Sequence, residues 1–426
     1  MRSKFCLGAF ALLGAILGAQ EPVTYLEETL YTPLDHPAIQ YKTKQSEDPV
    51  AKLNRKLASG KAKLDFDPAG GGYLRSVLKQ LNVPIDSQTL VFSDTSIQAE
   101  KINPRAPRAL YFSDDVTVGY VQGGEALEFA ALDPIRGVYL YTLDSKRAVK
   151  PEFTRREDCL RCHQGPVTLA VPGLLVASVH PASVGRDSHG SATMTDHRIP
   201  LAERWGGWYV TGNTGAQTHF GNNPSLAKAL RPGNLAKDGT QNLTSLESFF
   251  DTSRYLAASS DVVALMTLEH QTRMTNLLIR IGWDTRIAQQ EGKTGKALSA
   301  LIDPEIEQLI PYMLFADEVL LKEPISGNST FSKTFQERGP KDKEGRSLRD
   351  FDLQKRIFKY PVSYMIYSSA FDSLPAYSKD RIYRRLYDVL SGTDTGKKFA
   401  QLDEAARKAA IEIVAQTKTG VPAYWK

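Results

Sequence analysis

One short stretch, Asp158-Cys159-Leu160-Arg161-Cys162-His163, brings together residue types at a spacing that suits covalent attachment of a metallated macrocycle. Two thiols three positions apart can add to the two vinyl groups on one edge of a haem. The imidazole of the next residue then turns beneath the ring to reach the iron. Covalent attachment would fix His163 as an axial ligand. Other uses of the pair fit less well. A zinc tetrahedron needs four ligands, and no second Cys-x-x-Cys or His-x-x-x-His accompanies these thiols. A redox-active dithiol usually opens a helix directly after a strand, and the charged run Thr154-Arg155-Arg156-Glu157-Asp158 does not read as a strand. A structural disulfide would close only a tiny loop and add little stability.

The chain's beginning sets the compartment in which that chemistry is expected. Residues 1–20 place Arg2 and Lys4 before an apolar and small-residue run, the pattern of a Sec-type signal peptide. This predicts a periplasmic or otherwise exported protein, delivered unfolded with free thiols. Cys6 would be removed with the signal, so Cys159 and Cys162 are the two cysteines of the mature chain. No later stretch has the roughly 18 apolar residues of a spanning helix, so no transmembrane segment is expected in the mature chain. The formal charge of +5 falls by two with Arg2 and Lys4 and is spread without a basic block, which gives a nucleic-acid partner no support.

The elements that must position the motif follow from periodicity. Residues 20–67 read as polar and irregular, and Leu74, Val77, Leu78 and Leu81 form the first helical stripe. Five short β-branched and aromatic segments follow, at 90–92, 109–112, 116–121, 126–132 and 138–143, and predict an antiparallel sheet. Residues 150–223 are loop-rich. Beyond Leu243 a capping-box pattern, Thr244-Ser245-Leu246-Glu247, opens a helical part with helices expected at 261–281, 304–321, 361–371, 379–390 and 403–416. Residues 322–349 read as a long surface connection. The predicted class is α+β, in four regions: a signal peptide at 1–20, a β-rich region at 21–149, a haem c attachment region at 150–240 and a helical region at 241–426.

The attachment stretch resembles that of c-type cytochromes. The wider chain resembles a group of large bacterial single-haem proteins described only as cytochrome c domain-containing. Its landmarks are Thr195-Asp196-His197, the run from Glu203 to Gly212, Leu268-Glu269-His270-Gln271, Tyr360-Pro361 and Tyr424-Trp425. The resemblance implies one covalent haem c on Cys159 and Cys162 with His163 on the iron, and carries no activity with it. The chain departs from small soluble cytochromes, in which a helix leads into the attachment site and a methionine follows downstream.

A filled sixth iron position favours electron transfer, whereas an open one permits reaction with small molecules. His270, on the stripe Val263, Met266, His270, Met274, Leu277 and Ile281, is one candidate, with Met266 and Met274 beside it. A histidine on an apolar face is more often a core residue with a hydrogen-bond partner. His197 and His219 flank the segment from Trp205 to Gly212 and are further candidates, and Met194 is a methionine alternative. His180 and His189 read as surface residues, and His36 lies in the N-terminal arm. Tyr360, Tyr364, Tyr367, Tyr383 and Tyr387 read as amphipathic packing rather than an electron relay. The favoured expectation is an exported electron carrier cycling between Fe(III) and Fe(II), with an unidentified redox partner protein. One alternative is a haem-dependent oxidoreductase or peroxidase whose distal pocket uses His197, His219 or Arg204. Another is a haem-bearing binding or scaffold module.

Overall fold

The computed structural model describes residues 34–68, 70–93, 95–179, 192–223 and 241–426. The expected signal peptide lies outside the described residues, as do His180 and His189. Among the described residues no helix is long and apolar enough to cross a membrane.

The chain is α+β, as its patterning predicts. Helix α1 (Pro49–Ala58) begins on Asp48, whose carboxylate accepts the Val50 and Ala51 amides, and α2 (Leu74–Gln80) buries Leu74, Val77 and Leu78. Strands β1 (Thr89–Val91), β2 (Arg108–Phe112), β3 (Val116–Tyr120), β4 (Ala126–Asp133), β5 (Gly137–Asp144) and β6 (Phe153–Arg155) form antiparallel ladders. The helical turn α3 (Leu160–His163) is followed by a two-stranded hairpin of β7 (Ala177–Val179) and β8 (Ala192–Met194). Strand β9 (Trp208–Tyr209) returns to pair with β1, giving a seven-stranded sheet in the order β6-β5-β4-β3-β2-β1-β9.

Strand alternation sorts the sheet into two faces. Tyr111, Val118, Phe129 and Tyr141 lie in one register row and are all buried. The adjoining row holds Leu110, Gly119, Glu128, Thr142 and Thr154, smaller or more polar and mostly half-buried. Residues 34–48, part of a segment read from sequence as irregular, are tied to the buried face. Tyr41 stacks on Tyr139 with ring centroids 4.3 Å apart, and each phenol donates to a backbone carbonyl of the other segment. Asp48 accepts from the Tyr141 hydroxyl, and Asp133 accepts the Glu47 amide. The polar composition hid α1 because its apolar stripe is short.

The helical part is built around α4 (Val262–Gln290), started by the Asp261 carboxylate and buried on nearly every side. Helix α5 (Gly295–Met313) packs along it, beginning nine residues before the expected start at Pro304. Pro304 and Pro311 sit inside that helix, where burial of Leu298, Ile302 and Ile306 offsets the amide bonds that proline removes. Helix α6 (Phe331–Glu337) lies in the stretch expected to be a surface connection, and its Phe331 and Phe335 are buried. Helices α7 (Ser369–Asp372), α8 (Ala376–Leu390) and α9 (Glu404–Thr417) complete the part. The residues from Thr244 to Leu246 are irregular and Glu247 opens a turn, so the helix start that the capping-box pattern suggested is not there. One hydrophobic core, from Leu34 to Trp425, runs through sheet, loop region and helices. The tyrosines read as packing belong to it: Tyr360, Tyr364 and Tyr383 are buried, and Tyr367 and Tyr387 pack against its edge.

Candidate haem-attachment site

Strand β6 delivers the chain to the site. The Arg156 amide donates to the Leu140 carbonyl at the sheet edge, and the Arg156 guanidinium then grips Asp158 through two bonds of 2.9 and 2.6 Å. The chain winds into α3, where the Cys162 and His163 amides both donate to the Cys159 carbonyl, at 3.2 and 3.1 Å. Leu160 is buried and anchors the turn to the core. Cys159 is half-buried and Cys162 exposed, and the two are unbridged. A helical turn places residues i and i+3 on one side, so the thiols share a face.

His163 is clamped at two points by one glycine. The Gly173 amide donates to the His163 carbonyl at 2.9 Å, and His163 Nδ1 meets the Gly173 carbonyl at 2.9 Å. A carbonyl can only accept, so Nδ1 carries the proton and Nε2 keeps its lone pair. This is how metal-ligating histidines are commonly oriented, with the second nitrogen bonded to a carbonyl or carboxylate. Burial holds His163 below the usual imidazole range, opposed by the Gly173 bond, which favours the neutral form that binds a metal. Nearby, Arg108 and Glu128 pair at 2.9 Å, and both charges act on His163 with opposite sign.

The loop that carries Gly173 is itself fixed to α4. Asn276 accepts the Leu174 amide at 3.1 Å and donates to the Leu174 carbonyl at 2.7 Å, a reciprocal side-chain clamp on one residue. A Cβ on Gly173 would stand 2.3 Å from Asn276 Oδ1, so the close approach requires glycine. Arg280 donates to the Leu169 carbonyl at 3.2 Å, where Leu169 and Ala170 both adopt left-handed backbone. None of Gly173, Asn276 and Arg280 stood out in the sequence, where residues 150–223 read only as loop-rich.

The residues present fit a covalently held haem: two unbridged thiols on one face of a turn, and an imidazole whose metal-facing nitrogen is made available by a backbone bond. The redox-dithiol reading meets an opposite electrostatic demand. A strand does precede the turn, contrary to the sequence expectation, but burial and Asp158 push the Cys159 thiol up, whereas a nucleophilic thiol is held down. Among the described residues no cluster of three or more His, Cys, Asp or Glu side chains is arranged to hold a free metal ion.

The sixth-ligand candidates fall into place around α4. His197 Nδ1 and His270 Nδ1 face each other at 2.9 Å, His197 Nε2 meets Asp317 at 3.1 Å, and His270 Nε2 meets the Ser363 hydroxyl at 2.7 Å. Proton bookkeeping orders this chain. An Asp317 carboxylate oxygen accepts a hydrogen bond from His197 Nε2–H, leaving His197 Nδ1 to accept from His270 Nδ1–H, whose Nε2 then accepts from the Ser363 hydroxyl. Burial and the neighbouring His197 hold the His270 pKa well down, consistent with a neutral ring. All four ring nitrogens are engaged, so neither histidine offers a lone pair to iron. Arg204 and Trp205 donate to Glu269 at 3.2 and 2.9 Å, which draws Arg204 into the interior rather than toward an open pocket. Met266 and Met274 are buried on the stripe of α4 that carries His270. His219 is buried beside Trp205, ring centroids 5.1 Å apart, and its Nδ1 has no hydrogen-bond partner. The landmarks Thr195-Asp196-His197, Arg204-Trp205 and Glu269-His270 thus converge on one buried polar network that joins β8 to α4.

No protein family, no curated protein and no solved structure matches this chain.

Proposed function

We propose that this protein is an exported single-haem c-type cytochrome that transfers electrons, with the haem joined to Cys159 and Cys162 and ligated by His163. The observation that carries the reading is the Gly173 clamp, which sets the tautomer of His163 and leaves Nε2 available beside two unbridged thiols on one helical face. When bound, the haem supplies a one-electron Fe(III)/Fe(II) couple, with a potential tuned by axial ligation, hydrogen bonding and burial. The chain's part is to hold and orient. Leu160 seats the turn on the core, Gly173 fixes the imidazole plane, and Asn276 ties that glycine to the longest helix. Cys162 lies at the surface, which suits short-range exchange with a redox partner protein. Of the three distal candidates for an oxidoreductase or peroxidase, His197 and Arg204 are bonded inside the protein, which favours the carrier reading, while His219 is buried beside Trp205 with its Nδ1 unpartnered.

The test is expression with a haem-maturation system, followed by cell fractionation, a pyridine haemochrome assay and oxidised and reduced spectra. One covalent haem per chain in the exported fraction is expected. Absence of covalent haem would overturn the reading.

A further inference from the structure

We infer that the end of the sheet where residues 50–82 meet residues 144–152 is a docking surface for an anionic phospholipid bilayer, with Val149 entering the headgroup layer. The inference does not depend on the haem reading. Two stretches far apart in sequence are fastened together there. The Tyr73 hydroxyl, on a buried side chain, accepts the Ala148 amide at 2.8 Å and donates to the Ala148 carbonyl at 3.2 Å. Asn54 of α1 donates to the Phe153 carbonyl at 3.1 Å and accepts the Phe153 amide at 3.0 Å, at the start of β6. The segment between α1 and α2 is held in turn. The Asp65 amide donates to the Ser76 hydroxyl at 2.9 Å, and the Phe66 ring lies against Tyr73 with centroids 4.9 Å apart. The loop between β5 and β6 is thereby fixed beside α1 and the chain that leaves it.

This packing gathers charge that the linear sequence disperses. The two stretches hold ten Lys and Arg against four Asp and Glu, an excess of six, whereas the excess over the whole chain is five. The rest of the chain therefore carries no net positive charge. Lys52 and Arg55 reach Glu47, but among the described residues Lys56, Lys61, Lys63, Lys146, Arg147 and Lys150 are exposed and form no ion pair. Unpaired cations collected on one surface draw it toward an anionic one, and each cation that comes close to the headgroups adds to the attraction.

Charge alone does not select the partner, and Val149 does. It is 99% exposed, between Arg147 and Lys150, and residues 146–150 are all exposed, so the loop forms a convex tip. Tyr73 grips the adjacent Ala148 at both its amide and its carbonyl, which holds the valine outward. A protein partner covers an apolar anchor with a fitted pocket of its own. A bilayer needs no such fit: the valine enters the boundary between headgroups and acyl chains while the long cationic side chains on either side stay level with the phosphates. The apolar tip and the cations around it are thus the two signals that stable binding to a membrane surface requires.

The experiment is cosedimentation of the purified full-length protein with vesicles of phosphatidylcholine alone, or with roughly one third phosphatidylglycerol, at low and high salt. The wild type is expected to bind the anionic vesicles, to ignore the zwitterionic ones and to be released by salt. The triple variant Lys146→Ser, Arg147→Ser, Lys150→Ser should bind on the order of 100-fold more weakly, from about fivefold for each cation removed. A control triple, Lys343→Ser, Lys397→Ser, Lys408→Ser, removes as much charge from exposed positions of the helical part and should bind like the wild type. Val149→Ser should weaken binding severalfold at constant charge, and Val149→Trp should shift its fluorescence to the blue on anionic vesicles alone. No binding to anionic vesicles, an equal loss in the control triple, or Val149→Ser binding like the wild type would each overturn the assignment. The last of these, with equally tight capture by soluble polyglutamate, would give the surface to an acidic polypeptide instead.

Discussion

Replacing Glu269 by alanine should be among the most damaging single changes in the protein. Its carboxylate is fully buried and accepts from Trp205 Nε1 at 2.9 Å and from Arg204 Nη1 at 3.2 Å. Burial pushes the Glu269 carboxyl up and the Arg204 cation opposes the rise. Truncation leaves the guanidinium buried, its Nε still donating to the Ile199 carbonyl at 2.7 Å, and orphans the Trp205 indole. Removing one partner of a buried ion pair costs about 3–5 kcal/mol, because the remaining charge is uncompensated. The orphaned indole adds about 1–3 kcal/mol, though neighbouring effects do not sum, so the expected loss is roughly 3–6 kcal/mol. Replacing both members, Arg204→Met with Glu269→Leu, removes the charges together and should cost clearly less than Glu269→Ala alone. Urea denaturation of the wild type, Glu269→Ala and the double variant, followed by tryptophan fluorescence at one pH, measures both quantities. A Glu269→Ala loss below about 1 kcal/mol, or a double variant as unstable as the single, would refute the view that this network is a tightly coupled buried core.

Three further outcomes are expected. Burial lowers His219 from its usual value to about 4, so below pH 6.5 the unfolded chain takes up a proton that the folded chain refuses. Stability from this group is thus unaffected above pH 6.5 and falls as pH drops toward 4, by roughly 3 kcal/mol in total; His219→Gln should flatten that part of the curve relative to wild type, and an unchanged slope would contradict the buried neutral ring. Gly173→Ala drives a Cβ to 2.3 Å from Asn276 Oδ1, and Asn276→Ala leaves the Leu174 amide and carbonyl without their partner. Each should lower the denaturation midpoint by an equivalent of about 1–3 kcal/mol, and the two together by less than the sum, since they perturb one contact. Cys159→Ser and Cys162→Ser should each leave a single thioether, seen as a shifted haemochrome band, and the double variant should show no haem staining on a denaturing gel; haem retained by the double variant would contradict attachment at these thiols.

Patterns with a short period were legible along the chain. The alternating apolar segments gave the central strands to within a residue or so, because a half-buried antiparallel strand imposes a period of two on its own sequence. The long apolar stripe announced α4, although it runs to Gln290 rather than 281, since Trp283, Thr285 and Ala288 continue its buried positions past the stripe read from the sequence. Short elements were not legible: α1, α6, β6 and β9 are each held by contacts far away in sequence. Tyr41 on Tyr139, Phe335 among Phe351, Phe358 and Tyr364, and Leu90 against Tyr209 are examples that no local window contains.

The candidate site divides along the same line. Cys159, Cys162 and His163 lie within one helical turn, so their spacing alone states the chemistry that they suit. What surrounds them is non-local. Gly173 comes from a loop ten residues on, and Asn276 from a helix a hundred residues further. From the sequence His270 looked like a possible ligand because it lies on an apolar helical stripe, and His197 because it flanks the segment from Trp205 to Gly212. Folding brings them to 2.9 Å from each other and satisfies every ring nitrogen. The sequence alone determined the fold class and the local Cys-x-x-Cys-His turn, because both follow from interactions within a few residues. Only the tertiary structure decided which nitrogen of His163 is free, which histidines are engaged and which helix holds the Gly173 loop, because hydrogen bonds between distant segments form only when burial brings them within reach.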